Sequence, residues 1–210
     1  TEALKLAAYE TSADLAAEKG AFPLFKAKQY LAGGHARGLP EQIRKQIAKS
    51  GLRNGLLTSI APTGTISLLA GNVSSGIEPI FQISYQRKVR LADGGTETHE
   101  VKDYAARLWH SLKGDTAPLP EAFVATDDLQ PVDHLVMQSA VQAHIDSSIS
   151  KTVNVPEDAD FTAFQQIYEK AYDLGLKGCT TFRPNNVTGS VLSAGKADPA
   201  AASFTIMERE

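Results

Sequence analysis

Segments typical of strands and of helices alternate along this chain after residue 50, and this alternation restricts its fold more than any other feature. Leu56 to Ile60 is a short apolar run typical of a buried strand. Residues 150–156 contain the strand-like TVNV, and residues 178–182 form a last short strand. The alternation predicts an α/β fold with partly parallel strands rather than a helix bundle or a sandwich. With only about five strands at unequal spacing, the predicted sheet is incomplete, which indicates that the chain forms part of a larger fold.

Residues 81–101 have the pattern of a β-hairpin. Two strand-like segments flank Ala92-Asp93-Gly94-Gly95, and Asp-Gly is a strong turn signal. The stretch from Ala21 to Leu39, which holds Pro23 and three glycines, is predicted to be loop-rich. Helices are predicted over residues 2–19, 40–51, 102–113 and 131–145, and after Asp160, which is a good N-cap.

Composition excludes several classes of protein. The 210 residues, 42% of them hydrophobic, can bury a core without cross-links. A single cysteine, Cys179, excludes an internal disulfide, a CxxC pair and a cysteine-rich zinc site within these residues, and its expected role is that of a small buried side chain. A net charge of −3 gives no bulk attraction to nucleic acid. No apolar run approaches the roughly 18 residues of a membrane helix, so we expect a cytoplasmic protein with no membrane partner.

The five histidines predict no metal site. No pair of them has the i, i+4 spacing of a helical metal site, and HExxH does not occur. We therefore assign no metal ligand and no catalytic residue from the pattern of the sequence.

The strongest local signal is the stretch from Ser59 to Ser67, SIAPTGTIS. A short apolar strand meets a tight turn, and the turn opens a helix. The first N–H groups of a helix have no partner within it, and they favour an anion such as phosphate. Hydroxyl groups at the same place can add hydrogen bonds. The alternative is an ordinary helix start capped by Thr63 or Thr65. The GxxxxGK[ST] pattern of a P-loop is absent.

Two neighbouring segments allow a similar choice. The polar, glycine-rich loop from Gly71 to Pro79 either lines a polar pocket or is a plain connection with Glu78 in solvent. The basic residues Arg87, Lys88 and Arg90 of the hairpin form either a solvated strand face or a phosphate contact.

Residues 52–81, LRNGLLTSIAPTGTISLLAGNVSSGIEPIF, are similar to the C-terminal part of a ribonucleotide reductase catalytic chain, most closely the adenosylcobalamin-dependent class II form. Three more blocks agree in order and spacing, at residues 84–91, 137–156 and 175–184. The resemblance implies that residues 1–184 are the C-terminal portion of a ten-stranded α/β barrel, with the hairpin as an excursion. Residues 185–210 are predicted to form a flexible tail.

The resemblance also implies a site and an activity. By position, Thr63, Gly64, Thr65, Ile66 and Ser67 would bind the phosphates of a ribonucleoside di- or triphosphate. The complete reaction would replace the ribose 2′-hydroxyl by hydrogen with adenosylcobalamin as cofactor. Family members that use iron carry a Tyr-Tyr pair near the last strand. Here Thr180, Thr181 and Phe182 stand at the similar place, which favours the cobalamin form.

One departure from the family leaves three interpretations open. The Asn-x-Cys-x-Glu loop that carries the radical cysteine is absent, so the isolated chain is expected to be inactive. The loop would lie on a larger partner chain of a split reductase, or upstream in a single longer chain. Alternatively, the chain is a non-catalytic nucleotide- or phosphate-binding module that retains the fold only.

Overall fold

The computed structural model describes residues 1–91 and 94–184. Within them the chain forms helices α1 (Glu2–Lys19), α2 (Ala27–Leu31), α3 (Gly34–Arg37), α4 (Glu41–Ser50), α5 (Gly64–Leu69), α6 (Tyr104–Lys113), α7 (Pro131–Gln142) and α8 (Phe161–Asp173), and strands β1 (Ser84–Arg90), β2 (Thr96–Lys102), β3 (Thr152–Asn154) and β4 (Thr180–Phe182). The chain divides into two compact units. The first holds residues 1–62, 132–151 and 165–180, and the second holds residues 63–131, 152–164 and those from 181 onward.

The first unit is built around α1 and α4. Ile43 and Ile47, one helical turn apart, are buried together with Tyr9 and Leu52 in one apolar cluster. Gly51 ends α4 at a φ of 81°, a conformation that favours glycine. A Cβ atom at this position would lie 2.6 Å from the Cβ of Ala21, so the close approach requires glycine as well.

The segment that leads toward α5 pairs with a distant part of the same unit. The N–H of Ser147 donates to the carbonyl of Thr58 at 3.0 Å, and the N–H of Ser150 donates to that of Ile60 at 2.9 Å. The predicted strand over 56–60 is reduced to one parallel bridge between Ile60 and Ile149. A short apolar run alone is a weak strand signal, because a strand also needs a neighbouring strand along its length. Here the pairing is limited to one point.

Asp146 fixes this pairing through its carboxylate. The carboxylate accepts hydrogen bonds from the N–H groups of Leu57 and Thr58 at 2.7 and 2.8 Å. The hydroxyl of Tyr9 donates to it at 3.4 Å. Burial raises the pKa of Tyr9, and the neighbouring Tyr30 adds to this, so the phenol stays protonated as a donor.

The second unit contains the predicted hairpin. β1 and β2 are antiparallel, with Tyr85 opposite Val101 and Arg87 opposite His99. Ala92 and Asp93 of the predicted turn lie outside the described residues. Asp103 follows β2 and caps α6, because its carboxylate accepts a hydrogen bond from the N–H of Ala106 at 3.0 Å.

The mixture of helices and strands fits the predicted α/β class, but the described residues form no closed barrel. Their strands make two separate two-stranded sheets, β1 with β2 and β3 with β4. Four described strands are too few to close a ten-stranded barrel, which needs strands from outside this segment. The predicted tail, 185–210, lies outside the described residues.

The predicted helices are all present, and the stretch over 21–39, predicted as loop-rich, also contains two short helices. α1, α4, α6, α7 and α8 occupy the predicted places within a few residues. The N–H of Ala163 donates to the carboxylate of Asp160 at 2.7 Å, as expected for the cap of α8. The loop prediction missed α2 and α3, which are short and lie among glycines that favour turns. Among the described residues, no helix has the length and apolar character needed to cross a membrane.

Candidate functional site

The turn at residues 63–67 has an unusual start. Thr63 precedes α5 with φ 50° and ψ 22°, a left-handed conformation that costs a non-glycine residue about 1 kcal/mol. Its side chain makes no capping hydrogen bond to the helix. The alternative of an ordinary helix start capped by Thr63 is therefore wrong, because capping residues are extended and bind the first turn through their side chains.

The first turn of α5 leaves backbone donors available. The first bond of the helix is donated by the N–H of Ser67 to the carbonyl of Thr63 at 2.8 Å. The N–H groups of Gly64, Thr65 and Ile66 precede that bond, and within a helix such groups have no partner. Gly64 and Thr65 are exposed, so an anion can reach them from solvent.

The five predicted site residues do not contribute equally. Ser67 is buried, and its hydroxyl donates to the carbonyl of Gly64 at 2.7 Å, so that proton is already used within the helix. The side chain of Ile66 is 66% exposed. Gly64, Thr65 and Ser67 line a cavity of about 390 Å³, whereas Thr63 and Ile66 are not part of its wall. The accessible donors of this turn are thus its backbone N–H groups and the hydroxyl of Thr65.

The cavity is shared with the glycine-rich loop, as one of the two interpretations of that loop predicts. Asn72, Ser74 and Ser75 contribute polar groups to its wall, and Pro79 and Phe81 contribute apolar surface. Its volume lies within the range of small-molecule sites, which are mostly apolar with a few convergent polar groups. The loop is therefore more than a connection in this structure.

Asn72 holds the loop against the hairpin. It lies at φ 63°, and its N–H donates to the carbonyl of Ser67 at 2.9 Å. The hydroxyl of Tyr85 donates to Asn72 Oδ1 at 3.1 Å, and Asn72 Nδ2 donates to the carbonyl of Lys102 at 3.3 Å. Asparagine tolerates the left-handed conformation better than most residues, which fits this position.

Glu78 fixes the other end of the loop. Its carboxylate accepts a hydrogen bond from the N–H of Thr152, the first residue of β3, at 2.5 Å. The interpretation that Glu78 is simply in solvent is therefore wrong. Beyond Glu78, the N–H and the hydroxyl of Thr126 both donate to the carbonyl of Ile80, at 2.9 and 3.1 Å. The cavity wall is thus tied to the rest of the second unit at both ends.

Three polar residues of the wall were missed as site residues by the sequence analysis: Gln82, Tyr85 and Asp103. The alternation of the hairpin strand would have placed Tyr85 and Arg87 on one face, because side chains two apart on a strand share a face. Asp103 could be predicted as a helix cap, but its proximity to the cavity depends on the fold.

Cys179, expected to be a small buried side chain, is only partly buried in the structure. Burial raises the pKa of its thiol, which keeps it protonated near neutral pH. Within residues 1–91 and 94–184, no group of three or more His, Cys, Asp and Glu side chains could hold a metal ion.

Comparison with known proteins gives the family. Residues 1–182 match the family model described as ribonucleotide reductase, barrel domain. The chain belongs to the ribonucleotide reductase barrel-domain family. It is 34% identical over 217 residues to a vitamin B12-dependent ribonucleoside-diphosphate reductase of Mycobacterium tuberculosis, covering 95% of this chain. A protein of the same description from Thermoplasma acidophilum is 32% identical, covering 90% of this chain.

The chain corresponds to a limited part of these relatives. It spans 29% of the Mycobacterium protein and 25% of the Thermoplasma protein. The similarity extends to a ribonucleoside-diphosphate reductase subunit alpha of Treponema pallidum, at 27% identity over 84% of this chain and 20% of that protein. These matches confirm the expected resemblance to ribonucleotide reductases. This chain corresponds to a segment of their barrel domain.

Proposed function

We propose that this segment binds the phosphates of the ribonucleotide substrate in a cobalamin-dependent ribonucleotide reductase and forms part of its catalytic barrel. The observation that carries the proposal is the open first turn of α5. The N–H groups of Gly64, Thr65 and Ile66 have no partner within the helix, and Gly64 and the exposed Thr65 line the edge of a cavity. A ribonucleoside diphosphate is the proposed substrate, because the relatives from Mycobacterium and Thermoplasma are described as ribonucleoside-diphosphate reductases.

Hydrogen bonds dominate the proposed recognition. α5 has six residues, so its dipole is small, and the donors themselves must supply the affinity. A hydrogen bond to a charged group contributes about 1.5–3 kcal/mol. Two or three such bonds from residues 64–66 are enough to hold one phosphate in a fixed position relative to the cavity.

The exposed apolar side chains of α5 support the second part of the proposal. Ile66 is 66% exposed and Leu69 is 90% exposed, next to the phosphate turn. Adjacent exposed apolar side chains on a short helix are typical of a surface that other protein covers. In the proposed enzyme, further parts of the barrel pack against this face of α5.

Two histidines of the described residues were considered as axial ligands of the proposed cofactor. His134 and His144 are the candidates for cobalt ligation. His134 is 1% exposed, with its Nδ1 2.9 Å from Nζ of Lys151, and it is therefore not open to a corrin ring. His144 is partly exposed, and no further observation assigns it to the corrin ring. We therefore propose no cobalt ligand among the described residues.

In the complete enzyme, adenosylcobalamin would supply the radical, and a cysteine loop outside these 210 residues would transfer it to the ribose. The single cysteine here, Cys179, cannot provide both the radical thiol and the pair of thiols that reduces the substrate. The role proposed for this segment is accordingly to bind and orient the nucleotide. Whether the loop lies on a separate chain is tested by the intact masses of the native enzyme and its stoichiometric partners.

Gly64→Val in the complete reductase tests the phosphate site. A Cβ atom at Gly64 meets nothing within 4 Å, so the variant is expected to fold normally. The added side chain would occupy the space of the phosphate, and we expect the KM for the ribonucleoside diphosphate to rise at least roughly tenfold, as loss of one charged hydrogen bond implies. The matched control is Gly55→Val, whose Cβ atom also meets nothing within 4 Å and which lies outside this cavity.

Two results would contradict parts of the proposal. An unchanged KM in Gly64→Val would remove the phosphate site from this turn. Tight nucleotide binding without turnover, in the native assembly with cobalamin present, would favour the non-catalytic binding module instead.

A further inference from the structure

We propose that Arg87 is a specificity-determining residue of this site, which binds the second phosphate of a ribonucleoside diphosphate. The inference rests on the proposed function, because it assumes that the first phosphate lies at the turn of residues 64–66. It goes further by assigning the preference for two phosphates over one to a side chain on the hairpin.

The register of the hairpin brings Arg87 to the cavity. Tyr85 and Arg87 are two residues apart on β1, so their side chains share one face of the ribbon. The hydroxyl of Tyr85 is bound to Asn72 of the glycine-rich loop, which fixes that face against the loop. Arg87 accordingly lines the same cavity as Gly64, Thr65 and Ser75. Its position follows from pairing and packing within the second unit.

Arg87 has no competing partner within the described part of the chain. Its side chain makes no hydrogen bond or ion pair there. Across the strand lies His99, whose Nε2 is 3.3 Å from the carboxylate of Glu97, so this carboxylate is already engaged by the imidazole. A guanidinium group with five free donors has the geometry to bind phosphate oxygens in pairs.

The charge distribution in the wall favours an anion near Arg87. Among the described side chains that line the cavity, Arg87 and Asp103 carry the formal charges. Asp103 is 4% exposed, and its carboxylate is bound by the N–H of Ala106 at the start of α6. The positive end of that helix partly offsets the carboxylate charge. The guanidinium of Arg87 has no such compensation and is available to a ligand.

The cavity thus offers two different kinds of phosphate contact. The turn at 64–66 provides backbone N–H groups at fixed positions, and Arg87 provides a charged group on a long side chain. A ribonucleoside monophosphate would use the turn alone, whereas a diphosphate would use both. Arg87 should therefore determine the ratio of the affinities for diphosphate and monophosphate, rather than nucleotide affinity in general.

The test measures the Kd values of ADP and AMP for the complete reductase by equilibrium titration, with wild-type protein and with Arg87→Ala. We expect the Kd of ADP to rise roughly 10- to 100-fold in Arg87→Ala, and that of AMP to rise by less than about threefold. Arg87→Lys, which retains the charge and loses paired binding, should give an intermediate Kd for ADP. The charge-matched control is Arg37→Ala, at an exposed position of α3 in the first unit, which should leave both Kd values unchanged.

The outcomes distinguish failure of this inference from failure of the proposed function. Suppose that Gly64→Val weakens ADP binding, and that Arg87→Ala changes the ratio of the Kd values of ADP and AMP no more than Arg37→Ala does. The role of Arg87 is then overturned, and the phosphate site at the turn is retained. If ADP does not bind to the wild-type reductase, or if Gly64→Val leaves its binding unchanged, the proposed function fails first. An equal loss for ADP and AMP in Arg87→Ala would also overturn the inference, because it would indicate a general or structural effect.

Discussion

Two polar regions of the chain use their hydrogen-bonding groups in opposite ways. Around Asp146, in the first unit, the backbone donors of Leu57 and Thr58 are bonded to a buried carboxylate. Around α5, in the second unit, the N–H groups of residues 64–66 precede the first bond of the helix and lie beside an open cavity. The donors of Leu57 and Thr58 lie in irregular backbone and are bonded to a distant carboxylate, whereas those of residues 64–66 lie at the start of a helix, which leaves them without a partner in it.

The comparison separates a structural polar cluster from a proposed binding site. Buried polar groups are normally paired, because an unpaired one costs about 1–3 kcal/mol. The Asp146 cluster meets this requirement within the chain. The residues of the proposed phosphate turn are exposed, so water can reach their N–H groups in the free protein and a phosphate could replace that water. An open set of convergent donors is therefore the stronger indication of function.

Asp146→Asn should produce the largest change in stability, because it disrupts the paired backbone donors of the first unit. The amide retains one acceptor, and its NH₂ group would face a backbone donor of Leu57 or Thr58. We expect the free energy of unfolding of the 210-residue chain to fall by about 2–3 kcal/mol, measured by urea denaturation. Asp115→Asn, at an exposed position, is the control. A loss no greater than that of the control would show that Asp146 does not hold this segment.

Glu78→Gln should have a smaller effect, confined to the loop. The amide oxygen of glutamine can still accept the hydrogen bond from Thr152, but the charge that strengthens the bond is lost. We expect a fall of about 1 kcal/mol in the free energy of unfolding and faster hydrogen exchange at the N–H of Thr152. Glu121→Gln, which is exposed in the same unit, should change neither quantity. Unchanged exchange at Thr152 would mean that Glu78 does not anchor the loop.

The sequence predicted best what depends on local chemistry. Helix ends at Gly20 and Gly51 and the cap at Asp160 follow from residue type alone, and all three are present. The hydroxyl- and glycine-rich turn before α5 is likewise visible as a sequence pattern.

What the sequence could not predict depends on distant contacts. The run from Leu56 to Ile60 pairs with residues 146–150 far along the chain, and its extent as a strand depends on that pairing. The participation of Tyr85 and Asp103 in the cavity depends on how the hairpin packs against the glycine-rich loop. Neither relationship has a periodic signal within one segment.

Hydrogen exchange at residues 64–66 of the complete reductase, with and without saturating ribonucleoside diphosphate, tests the central claim most directly. If the N–H groups of Gly64, Thr65 and Ile66 bind phosphate, their exchange will slow markedly when nucleotide is bound, and exchange in α2 will not change. Slowed exchange confined to these amides is the result that the phosphate site predicts. If the enzyme is saturated with nucleotide and exchange at all three amides is unchanged, the proposed phosphate site is contradicted.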